Sequence, residues 1–263
     1  LFYFFRASSC GFVDELSALK MSDWYNEDLA YIHDTGHSDF ALRSAPGILQ
    51  ILRRNGIHSG LIVDLGCGSG LLAQELTKAG YELLGIDFSE AMLRIARRRA
   101  PQAKFRAGSL FTAELPPCHA VTATGECLNY LFDSDHRRPR LAQLFRRVFA
   151  ALSPGGVFIF DIAEPGQVAP GVSRSFVEGP DWMVALEKTE DRRQALLTRR
   201  IISFRRVGKH YRRSDELHRL QLFRVSDVAR ELRRAGFRVR LLRSYGEDEL
   251  PRAHAAFVAR KPA

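Results

Sequence analysis

"LIVDLGCGSG", Leu61 to Gly70, decides the fold. An apolar run closing on Asp64 and Leu65 enters glycines at alternate positions, Gly66, Gly68 and Gly70, and "LLAQELTKAG" follows with helical spacing and a closing Gly80. A short apolar run against such a loop predicts a buried strand leading into a helix. Glycine lets the chain turn tightly and approach a ligand closely, where a helix N-terminus offers unpaired N–H groups. Leu71 stands where a dinucleotide fingerprint requires glycine, and no Gly-Lys-Ser/Thr follows as in a P-loop. A carboxylate at Asp64 repels pyrophosphate and supports a cation, directly or through water. Its bland alternative is a carboxylate satisfied by neighbouring backbone N–H groups.

Downstream, "ELLGIDF", "AKFRAGSL", "AVTATGE" and "VFIFDIAE" read as strands. "SEAMLRIARRRA", with Ser89 as N-cap, and "DSDHRRPRLAQLFRRVFAALSPGG" read as helices between them. This alternation predicts an α/β fold with right-handed crossovers. The expected core is a doubly wound, mostly parallel seven-stranded sheet with flanking helices and with ligands at the carboxyl ends of the strands. Asp87 ends the second strand, where its oxygens can accept from vicinal ribose hydroxyls or, alternatively, share a capping role with Ser89. Upstream, a helical region from about Asp23 to Asn55, broken near Gly36 and Pro46, is expected to form a lid hinged at Gly36. After Pro165 the pattern alternates apolar and polar residues in "DWMVALEKTED", "ALLTRRIISFRRV" and "ELHRLQLF". Residues 166–223 are therefore expected to be an antiparallel insertion capping the site. "SDVARELRRAGF", "RVRLLRSYG" and "AHAAFVARK" then return to helix, strand and strand.

With 263 residues and 46% hydrophobic content, one soluble domain over 21–263 is the expectation. Residues 1–20 read as a tail, either an upstream extension or a mistaken start before Met21, and their apolar stretch before Arg6 is too short for a signal-peptide core. No run approaches the roughly 18 apolar residues of a membrane span. The four cysteines, Cys10, Cys67, Cys118 and Cys127, lack zinc spacing, so no metal is expected, and free thiols in a reducing cytoplasm are. A net charge of +9 raises nucleic acid as a partner. The arginines are nevertheless scattered, from Arg97 to Arg99 through Arg146 and Arg147 to Arg233 and Arg234, which favours solvated surface.

Several motifs together resemble the class I, Rossmann-like, S-adenosylmethionine-dependent methyltransferases. "VDLGCGSG" is similar to the first motif, "GIDFSEAML" to the second, "AGSL" to the third, and "LSPGGVFIFD", Leu152 to Asp161, to the turn into the fifth strand. The resemblance is strong over Leu61 to Asp161 and looser beyond. It implies S-adenosyl-L-methionine held by Asp64, Gly66, Cys67, Gly68 and Gly70, with Asp87 on the ribose and Phe88 beside the adenine. Ser109 stands where the family commonly has aspartate, Leu110 forms an apolar wall, and Gly125 follows the fourth strand.

The resemblance also places "GECLNYL", Gly125 to Leu131, beside the methyl group and acceptor. The segment lacks the Asn/Asp-Pro-Pro-Tyr/Phe pattern of enzymes that methylate nucleobase amines, and "PPC" at Cys118 precedes the fourth strand rather than following it. Methyl transfer needs a nucleophile held in line and relieved of any proton. Glu126, His33 and His218 are the expected catalytic residues, and Tyr31, His37, Asn129 and Arg219 the expected acceptor contacts, with Phe40 as a further wall. The expected activity is methyl transfer to N or O of a small metabolite. An RNA methyltransferase or a non-catalytic cofactor-binding module are the alternatives, and a homodimer through the insertion is a further expectation.

Overall fold

The computed structural model describes residues 24–36, 39–131 and 139–263. The tail 1–20, Cys10 and His37 lie outside these.

Two helices, α1 (Glu27–Gly36) and α2 (Asp39–Arg54), precede the alternating part. That part runs β1 (Leu61–Leu65), α3 (Leu71–Lys78), β2 (Glu82–Asp87), α4 (Glu90–Arg99), β3 (Lys104–Ala107), β4 (Cys118–Ala123), α5 (Pro139–Ala151) and β5 (Leu152–Ala163). Four antiparallel strands follow, β6 (Val172–Glu178), β7 (Trp182–Asp191), β8 (Leu196–Val207) and β9 (His210–Gln221). The chain closes with α6 (Val225–Arg234), β10 (Arg238–Leu242), a small hairpin of β11 (Ser244–Tyr245) and β12 (Asp248–Glu249), and β13 (His254–Arg260).

The main sheet has seven strands in the order β10-β13-β5-β4-β1-β2-β3. β13 runs antiparallel to both its neighbours, β5 and β10. From β1 the chain winds to β2 and β3 on one side and resumes at β4 and β5 on the other. The crevice past the carboxyl ends of β1 and β4 is therefore the topological switch point, where open α/β sheets take their ligands. The central strands β1, β4, β5 and β13 are buried on both faces, while the edge strands β3 and β10 are largely exposed. Phe145, Val148 and Leu232 of α5 and α6 pack on one face, and Ile48, Leu52, Leu72 and Leu76 of α2 and α3 on the other. Phe158, Phe160 and Phe257 stack across β5 and β13, with the last two rings 4.9 Å apart and 6° from parallel.

The helical lid departs from expectation in two places. Pro46 does not break α2, because it sits on the solvent side of an unbroken helix between buried Ala45 and Gly47. Gly36 is a packing residue rather than a free hinge, since a Cβ there would stand 2.3 Å from the indole of Trp182. β6 and the β11–β12 hairpin escaped the sequence pattern, the first because it is exposed along its whole length and so shows no burial period. The four-stranded sheet is tied down where Leu131 N donates to Arg219 O and where α1 lies against it through Ile32, Trp182 and Val184. Cys67, Cys118 and Cys127 are buried free thiols. Among the described residues no helix is long and apolar enough to cross a membrane.

Candidate active site

The glycine loop is shaped from both ends. Gly66 and Gly68 adopt left-handed backbone angles, φ 69° and 53°, which disfavour any side chain, and a Cβ on Gly66 would also stand 2.8 Å from Cys127 Cβ. Asp87 holds the loop to the next helix. Its Oδ2 accepts from Gly68 N at 2.8 Å and its Oδ1 from Ser89 N at 2.8 Å. Ser89 caps α4 by accepting from Met92 N, and its hydroxyl also donates to Tyr25 O at 2.8 Å, which ties the segment ahead of α1 to the rim.

Asp64 is 2% exposed and accepts a 2.6 Å hydrogen bond from Thr122 Oγ1 on β4. Burial, with Asp87 adding a like charge, pushes its carboxyl up to about 7 against the hydrogen bond from Thr122. Burial likewise raises Asp87, against its backbone donors. Two desolvated carboxylates on one wall make a site that favours a cation.

The opposite wall is the turn after β4. Glu126 adopts a left-handed φ of 54°, unusual for a non-glycine residue. Asp161 holds it there, accepting from Gly125 N at 3.0 Å and Glu126 N at 2.6 Å, while Tyr245 Oη donates to Asp161 at 3.1 Å. The Glu126 side chain forms an ion pair with Arg199 of β8 and a 3.0 Å hydrogen bond with His254 Nε2. Burial alone would raise its carboxyl, but Arg199 and His254 outweigh burial and pull it down to about 2. Burial alone would lower His254, and Glu126 outweighs that and raises it. Arg199 also donates to Tyr130 Oη, which lies 3.1 Å from Tyr25 Oη.

These groups enclose a cavity of about 330 Å³. Asp64, Gly66, Cys67, Gly68, Asp87, Phe88, Ser109, Leu110, Gly125, Glu126 and His33 line it, as does Phe40, and Tyr25, Tyr130 and Arg199 complete the wall. Ser109 Oγ accepts from Phe111 N at 3.2 Å, which shapes the turn beneath it. A second chamber of about 210 Å³ shares Tyr25, His33, Tyr130 and Arg199 and adds Leu29, Val184, Leu186, Lys188 and Ile201 from α1 and the cap.

Other expected site residues lie elsewhere. Gly70 packs helices together, because a Cβ there would meet Ala96 Cβ at 2.9 Å, and it is not among the lining residues. Tyr31 fastens α1 to the cap, its Oη donating to Asp181 at 3.1 Å with the Arg205 guanidinium 3.7 Å above its ring. His218 is fully buried behind Tyr25, hydrogen-bonded to Glu216 at 2.8 Å and stacked on Trp24, and it reaches neither chamber. The alternation of β9 turns Arg219 out to solvent for the same reason that it turns His218 in. Asn129 is a buried clamp: its Nδ2 donates to Ala163 O and Gln221 O, and its Oδ1 accepts from Ala163 N. Glu126 stands where expected, and Arg199 and His254 hold its carboxyl low, which makes it a poor proton acceptor at neutral pH.

Tyr25, Tyr130, Arg199, Lys188 and His254 were not singled out in the sequence. A readable signal existed for two of them. Lys188 follows Val184 and Leu186 at strand spacing, and Arg199 sits between Leu197 and Ile201, so each is a cation on the apolar side of an alternating strand.

Residues 62–156, the span carrying the glycine loop, Asp87 and the turn at Glu126, match a family model described as a methyltransferase domain. Over those residues the chain carries a methyltransferase domain. Among the relatives is the putative methyltransferase YqeM of Bacillus subtilis, 26% identical over 75% of this chain and 81% of that protein. Another is the dTDP-3-amino-3,4,6-trideoxy-alpha-D-glucopyranose N,N-dimethyltransferase of Streptomyces venezuelae, 25% identical over 83% of this chain and 93% of that one. An S-adenosylmethionine-dependent methyltransferase from Clostridium acetobutylicum shares the fold, with a TM-score of 0.76 at 21% identity over 89% of this chain and 98% of that chain. The residues present fit the cofactor. The left-handed glycines leave space for close approach, and the desolvated carboxylates of Asp64 and Asp87 face a cavity that a cationic amino-acid nucleoside would neutralise.

Proposed function

We propose that the enzyme transfers a methyl group to a nitrogen or oxygen of a small metabolite. The observation that carries this reading is the enclosure of the acceptor side: Tyr25, Tyr130, Arg199 and Glu126 join lid, cap and sheet around one cavity. Bound S-adenosylmethionine supplies an electrophilic methyl carbon on a sulfonium centre. On this reading Asp87 accepts from the ribose hydroxyls, Asp64 faces the ammonium of the methionyl end, and Gly66 and Gly68 admit the cofactor to the backbone. Phe88 and Leu110 flank the adenine and Ser109 meets its edge. His33 lines both chambers and is the imidazole able to take a proton, while Glu126 orients the nucleophile by charge. An acceptor that arrives without its proton, a neutral amine or a carboxylate, suits this wall. The name of the Streptomyces venezuelae relative supports an amine of a sugar, and the buried free thiols support a reducing cytoplasm.

The test has two stages. Cofactor at about 100 times its Kd adds roughly 2.7 kcal/mol of stability, so both S-adenosylmethionine and S-adenosylhomocysteine raise Tm. A panel of amino sugars, amines and carboxylates is then screened for S-adenosylhomocysteine release. Release only with RNA, with affinity falling steeply as salt rises, overturns the small-molecule reading. Cofactor binding without turnover on any acceptor class returns the chain to a binding module.

A further inference from the structure

We propose that the second chamber takes the acceptor by an anionic group, a carboxylate or a phosphate, held on Lys188. The inference rests on the transfer reading above and deepens it by naming the chemistry of the substrate.

Lys188 and Arg199 are register partners across β7 and β8, side by side on the inner face of the cap. Like charges directly opposite one another in a sheet repel, and here both are withdrawn from water. One carboxylate, that of Glu126, answers Arg199. Among the described residues no carboxylate pairs with Lys188, and the Nε–H of Arg199 has no acceptor. The surrounding carboxylates are committed elsewhere. Glu216 accepts from Tyr25 N, Asn26 N and His218, and Glu190 accepts from Gly166 N and Val168 N. Glu187, next in sequence to Lys188, pairs with Arg174. Burial and the Arg199 charge accordingly lower the Lys188 ammonium, with Glu126 opposing them.

A half-buried ammonium beside a guanidinium, in a chamber otherwise lined by Leu29, Val184, Leu186 and Ile201, is completed by an anion. Because that chamber shares Tyr25, Tyr130 and Arg199 with the main cavity, an acceptor anchored at Lys188 lies along the wall that ends at Glu126. A cationic amine is disfavoured there, whereas a molecule carrying its nucleophile at one end and an oxyanion at the other fits.

Calorimetric titration with inorganic pyrophosphate and, separately, with succinate tests this on the protein alone and on the protein saturated with S-adenosylhomocysteine. One probe is expected to bind, and which one does identifies phosphate or carboxylate. Lys188→Met is expected to weaken that binding roughly tenfold or more, and Lys188→Arg to retain it, since a charge-assisted contact is lost only in the first. The Kd for S-adenosylhomocysteine is the fold control and stays within about twofold in both variants. Binding of neither probe, or equal binding by Lys188→Met, overturns the proposal. Failure of S-adenosylhomocysteine to bind overturns the transfer reading instead, and the titration of the protein alone still decides the anion site.

Discussion

Glu126 and Arg199 form an ion pair that joins the turn after β4 to the inner face of β8, with only 12% and 14% of the two side chains exposed. The pair is therefore a strut between the cofactor-binding sheet and the cap. Removing Glu126 leaves the Arg199 guanidinium desolvated and without its carboxylate, at a cost of about 3–5 kcal/mol, whereas removing Arg199 leaves Glu126 its hydrogen bond with His254. Glu126→Gln should lower stability by that order and Arg199→Met by less, while the double variant loses less than the sum. A double-mutant cycle in urea measures the coupling, and strict additivity would show that the two side chains do not act as a pair.

His254 contributes to the same wall with a pH signature. Its folded pKa is raised above the ordinary histidine value, because Glu126 outweighs burial. The sign follows directly: the stabilisation is fully present below the unfolded value of about 6.5 and is lost as pH rises through the higher folded value. His254→Gln should thus cost more stability at pH 6 than at pH 9. A cost that is the same at both pH values would sever the link to Glu126.

Asp64 predicts a pH-dependent cofactor affinity. In the free protein its carboxyl sits at about 7, chiefly through burial. A cation bound beside it lowers that value, so affinity rises with pH up to about 7 and flattens above, and binding below pH 7 expels a proton. Calorimetry of S-adenosylhomocysteine at pH 6 in two buffers of different ionisation enthalpy reads the released proton. Asp64→Asn should abolish the buffer difference, and a difference that persists would assign the proton to another group.

The sheet, its helices and the cavity wall formed by the glycine loop, Asp64 and Asp87 were legible because strand and helix periods, glycines and strand-end carboxylates are local signals. The opposite wall, at Glu126, Tyr130 and Arg199, was not, because it is built by contacts across the chain. Glu126 and Arg199 are brought together only when the cap folds back, and the 3-10 turn Cys127–Asn129 buries Asn129 as a clamp while the next residue, Tyr130, reaches the cavity. His218 and Arg219 illustrate the same limit. The residue types suited catalysis, but alternation along β9 sent one behind Tyr25 and the other into solvent.

Gly70 separates packing from binding. Its φ of 77° and the 2.9 Å approach to Ala96 Cβ mean that Gly70→Ala strains the start of α3 and pushes on α4. We expect a loss of about 1–3 kcal/mol from left-handed strain and overpacking. Where the variant remains folded, its S-adenosylhomocysteine affinity should change far less than that of Asp87→Ala. Equal losses of affinity in the two variants would put Gly70 at the ligand after all.

Glu216 governs the lid through the chain that enters it. Its carboxylate accepts from Tyr25 N at 2.8 Å, Asn26 N at 3.2 Å and His218 Nε2 at 2.8 Å, so one side chain of the cap fixes the backbone just ahead of α1. That backbone carries Tyr25, whose ring lines both chambers and whose hydroxyl meets Tyr130. Glu216→Gln keeps the shape but replaces one acceptor oxygen by an amide that can only donate, setting it against donors already in place. Leaving a buried donor unanswered costs about 1–3 kcal/mol, enough to loosen a lid segment without unfolding the sheet. Hydrogen exchange should therefore quicken over 24–36 while β1, β4 and β5 stay protected. If protection falls equally in the sheet, Glu216 supports the global fold and its hold on the lid is incidental.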